Sequence, residues 1–119
     1  MEITFENPLF LIPFSSGLIF VLAGFIMLKF PPKKINSFYG YRTYKSMKNQ
    51  ERWDFAQKYS SLEMIKLGGL LTLSSCLGFF YLPKEKTAMF IGLGLMILMV
   101  IILLFRVERA IQQKFGKHD

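Results

Sequence analysis

Three apolar runs of about twenty residues each constrain this chain more than any other feature of its sequence. They cover residues 9–30, 62–82 and 87–107. As a helix, each run would be about 30 Å long at 1.5 Å per residue, which matches the hydrocarbon thickness of a bilayer. A soluble domain of only 119 residues could hardly bury so much apolar surface. The sequence therefore predicts an all-α membrane protein with three transmembrane helices.

The connections between the runs indicate one integral membrane domain over residues 1–119. Pro83 and the three charged residues after it separate the second and third runs. So short a connection predicts an antiparallel hairpin of two helices. A loop over residues 31–61 joins the first two runs, and a tail over residues 108–119 follows the third.

Lysine and arginine predict the orientation of these spans, because they collect on the cytoplasmic side. The N-terminal segment has none, and the hairpin has only Lys84 and Lys86. The loop and the region around the tail are basic, with Lys33, Lys34, Arg42, Lys45, Lys48, Arg52, Lys58, Arg106, Arg109, Lys114 and Lys117. We therefore expect the N-terminus outside the cell and the C-terminus inside.

Reactive groups are scarce in the apolar runs. Their central thirds hold no charged residue and no histidine, which argues against proton or ion transport. Cys76 and His118 are single residues of their kinds, so they offer no metal-ligand or nucleophile spacing. We expect no enzymatic activity and no cofactor or metal. Anionic lipid headgroups explain the basic charge better than nucleic acid does.

Two charged residues lie in the first turns of the second run. Glu63 and Lys66 are spaced i, i+3, so they can pair on one helix face. Two interpretations stay open here. The residues form either an ion pair at the membrane interface or a polar mouth on the cytoplasmic side, since charges at this depth are easily exposed to headgroups.

Small residues mark the surfaces where helix backbones can approach closely. Within the second run, Gly68, Thr72 and Ser75 recur at helical spacing. Further small residues are Ala23, Gly24, Ser74, Gly78, Gly92 and Gly94. This pattern predicts packing within one three-helix bundle. A homodimer that meets along the second run is the alternative.

The first part of the loop combines helix-breaking and aromatic residues. "PPKK" at residues 31–34 ends the first helix. Gly40 lies between two tyrosines and indicates a sharp turn or a close backbone approach. An aromatic belt in the headgroup layer is predicted for Phe38, Tyr39, Tyr41 and Tyr44.

The second part of the loop predicts an amphipathic helix that lies at the cytoplasmic interface. Ser46 or Asn49 can cap it. At 100° per residue, one face holds Asn49, Trp53, Ala56, Ser60 and Met64, a second holds Phe55, Tyr59 and Leu62, and a polar wedge holds Gln50, Asp54, Lys58 and Ser61. The helix either continues into the second span or bends before it.

The string "YGYRTYKSMKNQERWDFAQKYS" resembles the signature of the SdpI family of bacterial membrane proteins. The matching positions are Gly40, Arg42, Thr43, Ser46, Asn49, Trp53, Ala56 and Gln57. The family's namesake protects a cell against a secreted killing peptide and is implicated in signalling through a sequestered autorepressor. It is longer than this chain and has additional membrane helices. The resemblance implies an immunity-type protein of the bacterial cytoplasmic membrane.

Three functional hypotheses follow. The first is that the cytoplasmic loop binds or senses a killing peptide or a regulatory partner. Its candidate partner-binding residues are Tyr39, Gly40, Arg42, Thr43, Ser46, Asn49, Trp53 and Gln57. The second hypothesis is a structural or regulatory subunit of a larger membrane complex. The third is an interfacial enzyme that processes a lipid or peptide, with Arg42 holding phosphate and Glu63 or Asp54 as acid or base.

Several of these residues also have a purely structural interpretation. Arg42 can make a local hydrogen bond or a lipid contact. Trp53 can be a packing anchor at the interface, and Gly40 can serve the backbone conformation alone. The sequence leaves these interpretations open beside partner binding.

Overall fold

The computed structural model describes residues 7–80 and 84–116, and helices dominate them. In chain order these are α1 (Pro8–Lys29), α2 (Gln50–Ser74), α3 (Leu77–Phe80) and α4 (Glu85–Phe115). Residues 30–49 connect α1 to α2 without a helix. The described part of the chain has no strand. The prediction of an all-α protein is therefore confirmed.

α1 begins and ends where its sequence dictates. The side-chain oxygen of Asn7 accepts a hydrogen bond from the N–H of Leu9 at 3.1 Å, which caps the first turn. Pro8 at the first position has no N–H to leave unsatisfied. Pro31 and Pro32 cannot continue the helix. α1 ends one residue before the predicted boundary.

α2 joins the predicted interfacial helix to the second apolar run. Its cap is Asn49, whose Oδ1 accepts from the N–H of Arg52 at 2.9 Å. The helix runs through residues 60–62 without interruption. Of the two alternatives for this junction, the continuous helix is the observed one.

The second apolar run is not one helix. α2 ends at Ser74, and a turn follows in which the N–H groups of Ser75 and Cys76 bond to carbonyls three residues back, each at 3.1 Å. α3 adds one further turn. The predicted end of this span at residue 82 and the predicted helix stop at Pro83 lie outside the described residues.

α4 is longer than the third predicted span. Its 31 residues give a length of about 46 Å at 1.5 Å per residue. Residues 108–115, predicted as tail, therefore continue the helix. Gly116, at φ 90°, ends it. The predictions for Lys117 and His118 lie outside the described residues.

α1 and α2 pack antiparallel with their backbones in contact. A Cβ atom added to Gly17 would lie 2.6 Å from the Gly68 carbonyl oxygen, and one added to Gly24 would lie 2.7 Å from the Ser61 carbonyl oxygen. Only glycine permits this approach. The small residues at these positions pack the helices of one chain together, as the bundle interpretation predicts. The homodimer stays a prediction.

α4 packs against both other long helices and runs parallel to α1. Near its start, a Cβ atom on Gly92 would lie 2.9 Å from the Pro8 carbonyl oxygen. Further along, it buries Leu103, Val107 and Ile111. These side chains form a core with residues of α1 and α2, including Met27, Ala56 and Leu67.

The bundle has two distinct ends. We call the end that holds residues 30–49, the start of α2 and the C-terminal part of α4 the loop end. We call the opposite end, with Asn7 and Gly78, the far end. The side-chain amide of Asn7 donates to the Gly78 carbonyl there at 3.4 Å. The longest dimension is 51 Å, which exceeds the roughly 30 Å of a bilayer core.

Two described helices, α1 and α4, are long and apolar enough to cross a membrane. In their most apolar stretches, only 28% and 17% of the residues are buried. A core helix of a soluble protein would hide most of that surface. α2 does not share this character, because its first half is polar.

Candidate partner-binding site at the loop end

The side chain of Gln57 holds the loop to α2. Its Oε1 accepts from the N–H of Tyr41 at 2.7 Å, and its Nε2 donates to the Tyr41 carbonyl at 2.8 Å. Gln57 is buried, so water does not compete for these bonds. One side chain thus satisfies both backbone groups of a residue that has no helix or strand to do so. We call this pair of bonds the Gln57 clamp.

Gly40 makes the Gln57 clamp geometrically feasible. Its φ is +110°, a conformation that residues with a Cβ atom rarely adopt. An added Cβ would lie 2.5 Å from Gln57 Oε1 and 2.7 Å from Pro32 Cγ. The sequence predicted a turn or a close backbone approach at this glycine, and the structure has both.

Trp53 fixes the first residues of the loop. Its side chain is completely buried, and its Nε1–H donates to the Pro32 carbonyl at 2.6 Å. A buried indole needs such a partner for its N–H. Trp53 is therefore an internal packing anchor.

Ser46 and Thr43 close the next part of the loop into a compact turn. Ser46 Oγ accepts from the N–H of Thr43 at 2.8 Å, and Thr43 Oγ1 accepts from the N–H of Ser46 at 3.3 Å. The Ser46 hydroxyl lies 3.0 Å from the Thr43 carbonyl and 3.2 Å from that of Tyr41. Its side chain is buried. These two residues support the fold of the loop.

Glu108 connects this turn to α4. One carboxylate oxygen, Oε2, accepts from the Tyr41 hydroxyl at 2.7 Å and from Thr43 Oγ1 at 2.9 Å. Burial, and then the neighbouring carboxylate, hold the pKa of Tyr41 well above its usual range. The phenol therefore stays protonated and donates to Glu108.

Arg52 makes a second connection to α4. It is 1% exposed. Its terminal nitrogens donate to the Lys45 carbonyl at 3.4 Å and to the Gly116 carbonyl at 3.1 Å. The guanidinium lies over the Phe115 ring, 5.5 Å from its centre. Arg52 thus ties the loop to the C-terminal end of α4.

The outer side of the loop carries exposed side chains. Arg42 is exposed and donates to the Ser37 carbonyl. Phe38 and Tyr44 are 92% and 81% exposed, as the predicted aromatic belt requires. Tyr39 is half-exposed, and its hydroxyl donates to the Phe30 carbonyl at 2.7 Å, which caps the C-terminus of α1. Unlike these residues, Tyr41 points inward.

The predicted faces of the loop helix are partly correct. Trp53, Ala56 and Ser60 are buried, as their shared face predicts. Ser61 was assigned to the polar wedge, but it is buried against α1. Its burial follows from the contact with Gly24, a tertiary contact that a helical projection does not contain.

Glu63 forms an ion-pair cluster between helices. Its carboxylate lies 3.6 Å from Lys66 Nζ, so the predicted i, i+3 pair is present. Arg106 of α4 donates its Nε–H to the same carboxylate. The Glu63 side chain is 4% exposed and that of Lys66 is 69% exposed. Glu63 therefore joins α2 to α4.

A groove of about 470 Å³ lies between the C-terminal end of α1 and the start of α2. We call it the α1–α2 groove. It is lined by the apolar residues Met27, Leu28, Pro31 and Pro32 and by the polar residues Lys33, Gln50, Asp54, Gln57 and Lys58. Two of the lining residues, Pro32 and Gln57, are the ones that Trp53 and Tyr41 hold in place. The signature residues therefore support one wall of the groove.

Acidic residues do not converge in this region. Asp54 lines the α1–α2 groove, whereas Glu63 does not. Gln50 donates to Asp54 at 2.7 Å. Over residues 7–80 and 84–116, no three His, Cys, Asp or Glu side chains come together in a way that could hold a metal ion.

Three residues that hold this end together are not indicated as site residues by the sequence pattern. Arg52 was counted only as positive charge, and Tyr41 only as a belt aromatic. Glu108 was not singled out, although it is the only acidic residue between Thr87 and Phe115. A lone acid in a long apolar and basic stretch is a signal for a specific partner.

Comparison with known proteins places these residues in a family context. The family model of the SdpI/YfhL protein family matches residues 33–106, which include the Gln57 clamp and the Glu63 cluster. The uncharacterized protein YfhL of Bacillus subtilis (strain 168) is 49% identical over 55 residues. These residues are 46% of this chain and 49% of YfhL, so the match spans about half of the relative's length. No solved structure matches the chain.

Proposed function

The chain belongs to the SdpI/YfhL protein family, and on this premise we propose that it is an immunity-type protein that binds a membrane-active peptide in the α1–α2 groove. Its membrane character follows from the family and from two apolar helices that could span a bilayer. The immunity role comes from the resemblance to the family's signature. One observation carries the choice of site: the signature residues support the wall of this groove.

We propose three spans, formed by α1, by the apolar part of α2 together with α3, and by α4. Residues 62–80 would be about 28 Å long as a helix, close to the thickness of a bilayer core. The turn at Ser75 and Cys76 interrupts this span near the far end. The loop end carries most of the lysine and arginine, so it faces the cytoplasm in this proposal.

The depth of the groove suits a ligand that lies in the inner leaflet. Met27 and Leu28 line it, and they precede Lys29 at the last residue of α1. Lysine at the end of a span lies at headgroup level. A peptide that arrives from outside meets the far end first. The proposal therefore requires that the peptide reaches the inner leaflet before it binds.

The groove's lining selects for an amphipathic ligand. Its lining combines the apolar residues Met27, Leu28, Pro31 and Pro32 with the charged residues Lys33, Lys58 and Asp54. Its volume of about 470 Å³ lies within the range of small ligand sites, enough for a few side chains of a peptide. We propose that the peptide places apolar side chains against the apolar lining and an acidic group or free carboxylate at the two lysines.

A survival assay tests this site. The chain is expressed in a sensitive strain, which is challenged with a panel of secreted membrane-active peptides. Lys33→Glu reverses the charge at the groove, while Lys34→Glu makes the same change at the next residue, which does not line it. We expect protection by the native chain and by Lys34→Glu, and its loss in Lys33→Glu at equal amounts of inserted protein.

Two outcomes would contradict the proposal. If no peptide in the panel is resisted better with the chain than without it, the immunity role fails. If Lys33→Glu and Lys34→Glu protect equally, the peptide does not bind at the α1–α2 groove.

A second candidate function is docking of a regulatory partner. The exposed positions of Phe38, Arg42 and Tyr44 on the outer side of the loop favour it, since exposed aromatic and arginine side chains are frequent anchors of interfaces. A docked partner would co-purify with the chain in mild detergent and would be lost in Arg42→Ala. Retention of the partner by that variant would exclude this surface.

The third hypothesis, an interfacial enzyme with Glu63 or Asp54 as acid or base, stays a prediction. Asp54 accepts a hydrogen bond from Gln50 at 2.7 Å. Glu63 is engaged by Arg106 and Lys66.

A further inference from the structure

A smaller pocket lies between α2 and α4, where α4 leaves its apolar stretch. Its volume is about 290 Å³. It is lined by Tyr59 of α2 and by Phe105, Arg106, Arg109, Ala110 and Gln113 of α4. We call it the arginine pocket. It shares none of its lining residues with the α1–α2 groove.

The depth of the arginine pocket is set by the sequence of α4. Residues 87–105 contain no charged side chain and would be about 28 Å long as a helix. Arg106 is the first charge after this stretch. In a bilayer core of about 30 Å, the pocket then lies at the level of the inner-leaflet phosphates. This placement rests on the proposed topology.

The pocket has an excess of positive charge. Arg106 and Lys66 share a single carboxylate, that of Glu63. Arg109 makes no ion pair or hydrogen bond with any described residue. Lys66, Arg106 and Arg109 carry three positive charges against the one negative charge of Glu63. This surface therefore attracts a further anion.

The donors are of the kind that a phosphate group needs. Arg106 uses Nε for Glu63, and its two terminal nitrogens carry further N–H donors. Arg109 is one helical turn further along the same face. The Gln113 amide and the Tyr59 hydroxyl add uncharged donors to the lining. Guanidinium groups bind phosphate oxygens in pairs, which lysine cannot do.

The apolar side of the pocket favours a lipid over a soluble phosphate compound. Phe105 lines it and is 57% exposed. Below it, Ile101 and Leu98 of α4 are also about half exposed. An acyl chain can lie along this surface while the phosphate occupies the pocket. The volume of the arginine pocket suits a phosphate with its glycerol. The acyl chains need no enclosed space, because they lie along the outer surface of α4.

From these observations we propose that the arginine pocket binds the phosphate headgroup of an anionic phospholipid from the inner leaflet. The bound lipid would bridge α2 and α4 at the Glu63 cluster. It would occupy a site separate from the peptide groove.

Lipid binding to the purified chain tests this proposal. Native mass spectrometry measures the affinity for phosphatidylglycerol, for zwitterionic phosphatidylcholine and for inorganic phosphate. Arg109→Gln removes a cation that supports no internal contact, and Arg42→Gln is a matched control with the same charge change in the loop. We expect Arg109→Gln to weaken phosphatidylglycerol binding at least about tenfold, the worth of one charge-assisted hydrogen bond, and Arg42→Gln to leave it unchanged.

The other results have defined meanings. Equal weakening by both variants, or equal affinity for the two lipids, would overturn the proposal. If inorganic phosphate binds in an Arg109-dependent way and phosphatidylglycerol does not, the ligand is a soluble phosphate and the lipid assignment is wrong. The survival assay distinguishes this proposal from the peptide groove. We expect Arg109→Gln to protect cells as the native chain does, because it removes the lipid site and leaves Lys33 and the groove in place.

Discussion

The loop end and the apolar helices α1 and α2 are held together by different kinds of contact. Between the apolar helices, glycine lets α1 and α2 touch, as at Gly17 against Gly68. At the loop end, buried side chains bond to backbone carbonyls, as Trp53 does to Pro32 and Gln57 does to Tyr41.

The difference follows from where the backbone polar groups lie. A membrane helix satisfies its own backbone, so helices need only shape complementarity to associate. Residues 30–49 lie outside any helix, and their buried N–H and C=O groups need individual partners. The loop end therefore depends on specific side chains, and the contacts between the apolar helices depend on the absence of side chains.

The largest effect is expected at Trp53. Replacing it with alanine removes a completely buried ring and leaves the Pro32 carbonyl without its donor. We expect Trp53→Ala to lower the free energy of unfolding by about 3–5 kcal/mol. Trp53→Phe keeps most of the ring and should cost about 1–3 kcal/mol. Unfolding in detergent micelles, followed by circular dichroism, measures both, and an unchanged Trp53→Ala would disprove the internal role.

An intermediate effect is expected where the helices touch. In Gly17→Ala the new methyl group would meet the Gly68 carbonyl and the Thr72 backbone, so α1 and α2 must separate. We expect a cost of about 1–3 kcal/mol. Gly94→Ala is the matched control, because nothing lies within 4 Å of the added Cβ, and it should be neutral or stabilising by up to about 1 kcal/mol. The same unfolding assay compares them. Equal stability of the two variants would refute the contact.

The smallest effect concerns pH and Tyr41. Because its pKa is raised in the folded protein, its contribution to stability is complete below the ordinary tyrosine pKa of about 10 and declines as pH rises above it. Tyr41→Phe should cost about 0.5–1.5 kcal/mol at neutral pH and should flatten this alkaline decline. Unfolding measured between pH 8 and 11 gives both values. An identical alkaline decline in the variant would show that Tyr41 is not buried beside Glu108.

Much of the fold could be predicted from the sequence. Hydropathy located α1 and α4 to within a few residues at most ends, and Asn49 was one of two caps named for α2. The break after Ser74 was missed, because apolar composition does not distinguish a straight helix from one that contains a turn. The extension of α4 to Phe115 was missed for a related reason: polar residues read as a tail can continue a helix.

The site was harder to predict because its contacts are tertiary. The resemblance to a family signature identified Trp53 and Gln57 before their partners were known. It could not show that both point inward, since the Pro32 and Tyr41 carbonyls they bind are defined only by the path of the loop. Glu108 and Arg52 were missed because their partners lie more than sixty residues away along the chain.

Amide hydrogen exchange at Tyr41 tests the central claim, that the signature residues build a folded loop end, most directly. The Tyr41 N–H is bonded to buried Gln57, while Tyr44 is an exposed loop residue whose amide serves as the reference. Exchange of both amides is measured by NMR on the native chain in micelles. We predict that Tyr41 exchanges at least about tenfold more slowly than Tyr44. Gln57→Leu should abolish that protection, while amides of α1 near Gly17 stay protected. Equal exchange of Tyr41 and Tyr44 in the native chain would mean that residues 30–49 are a solvated linker and would contradict the account.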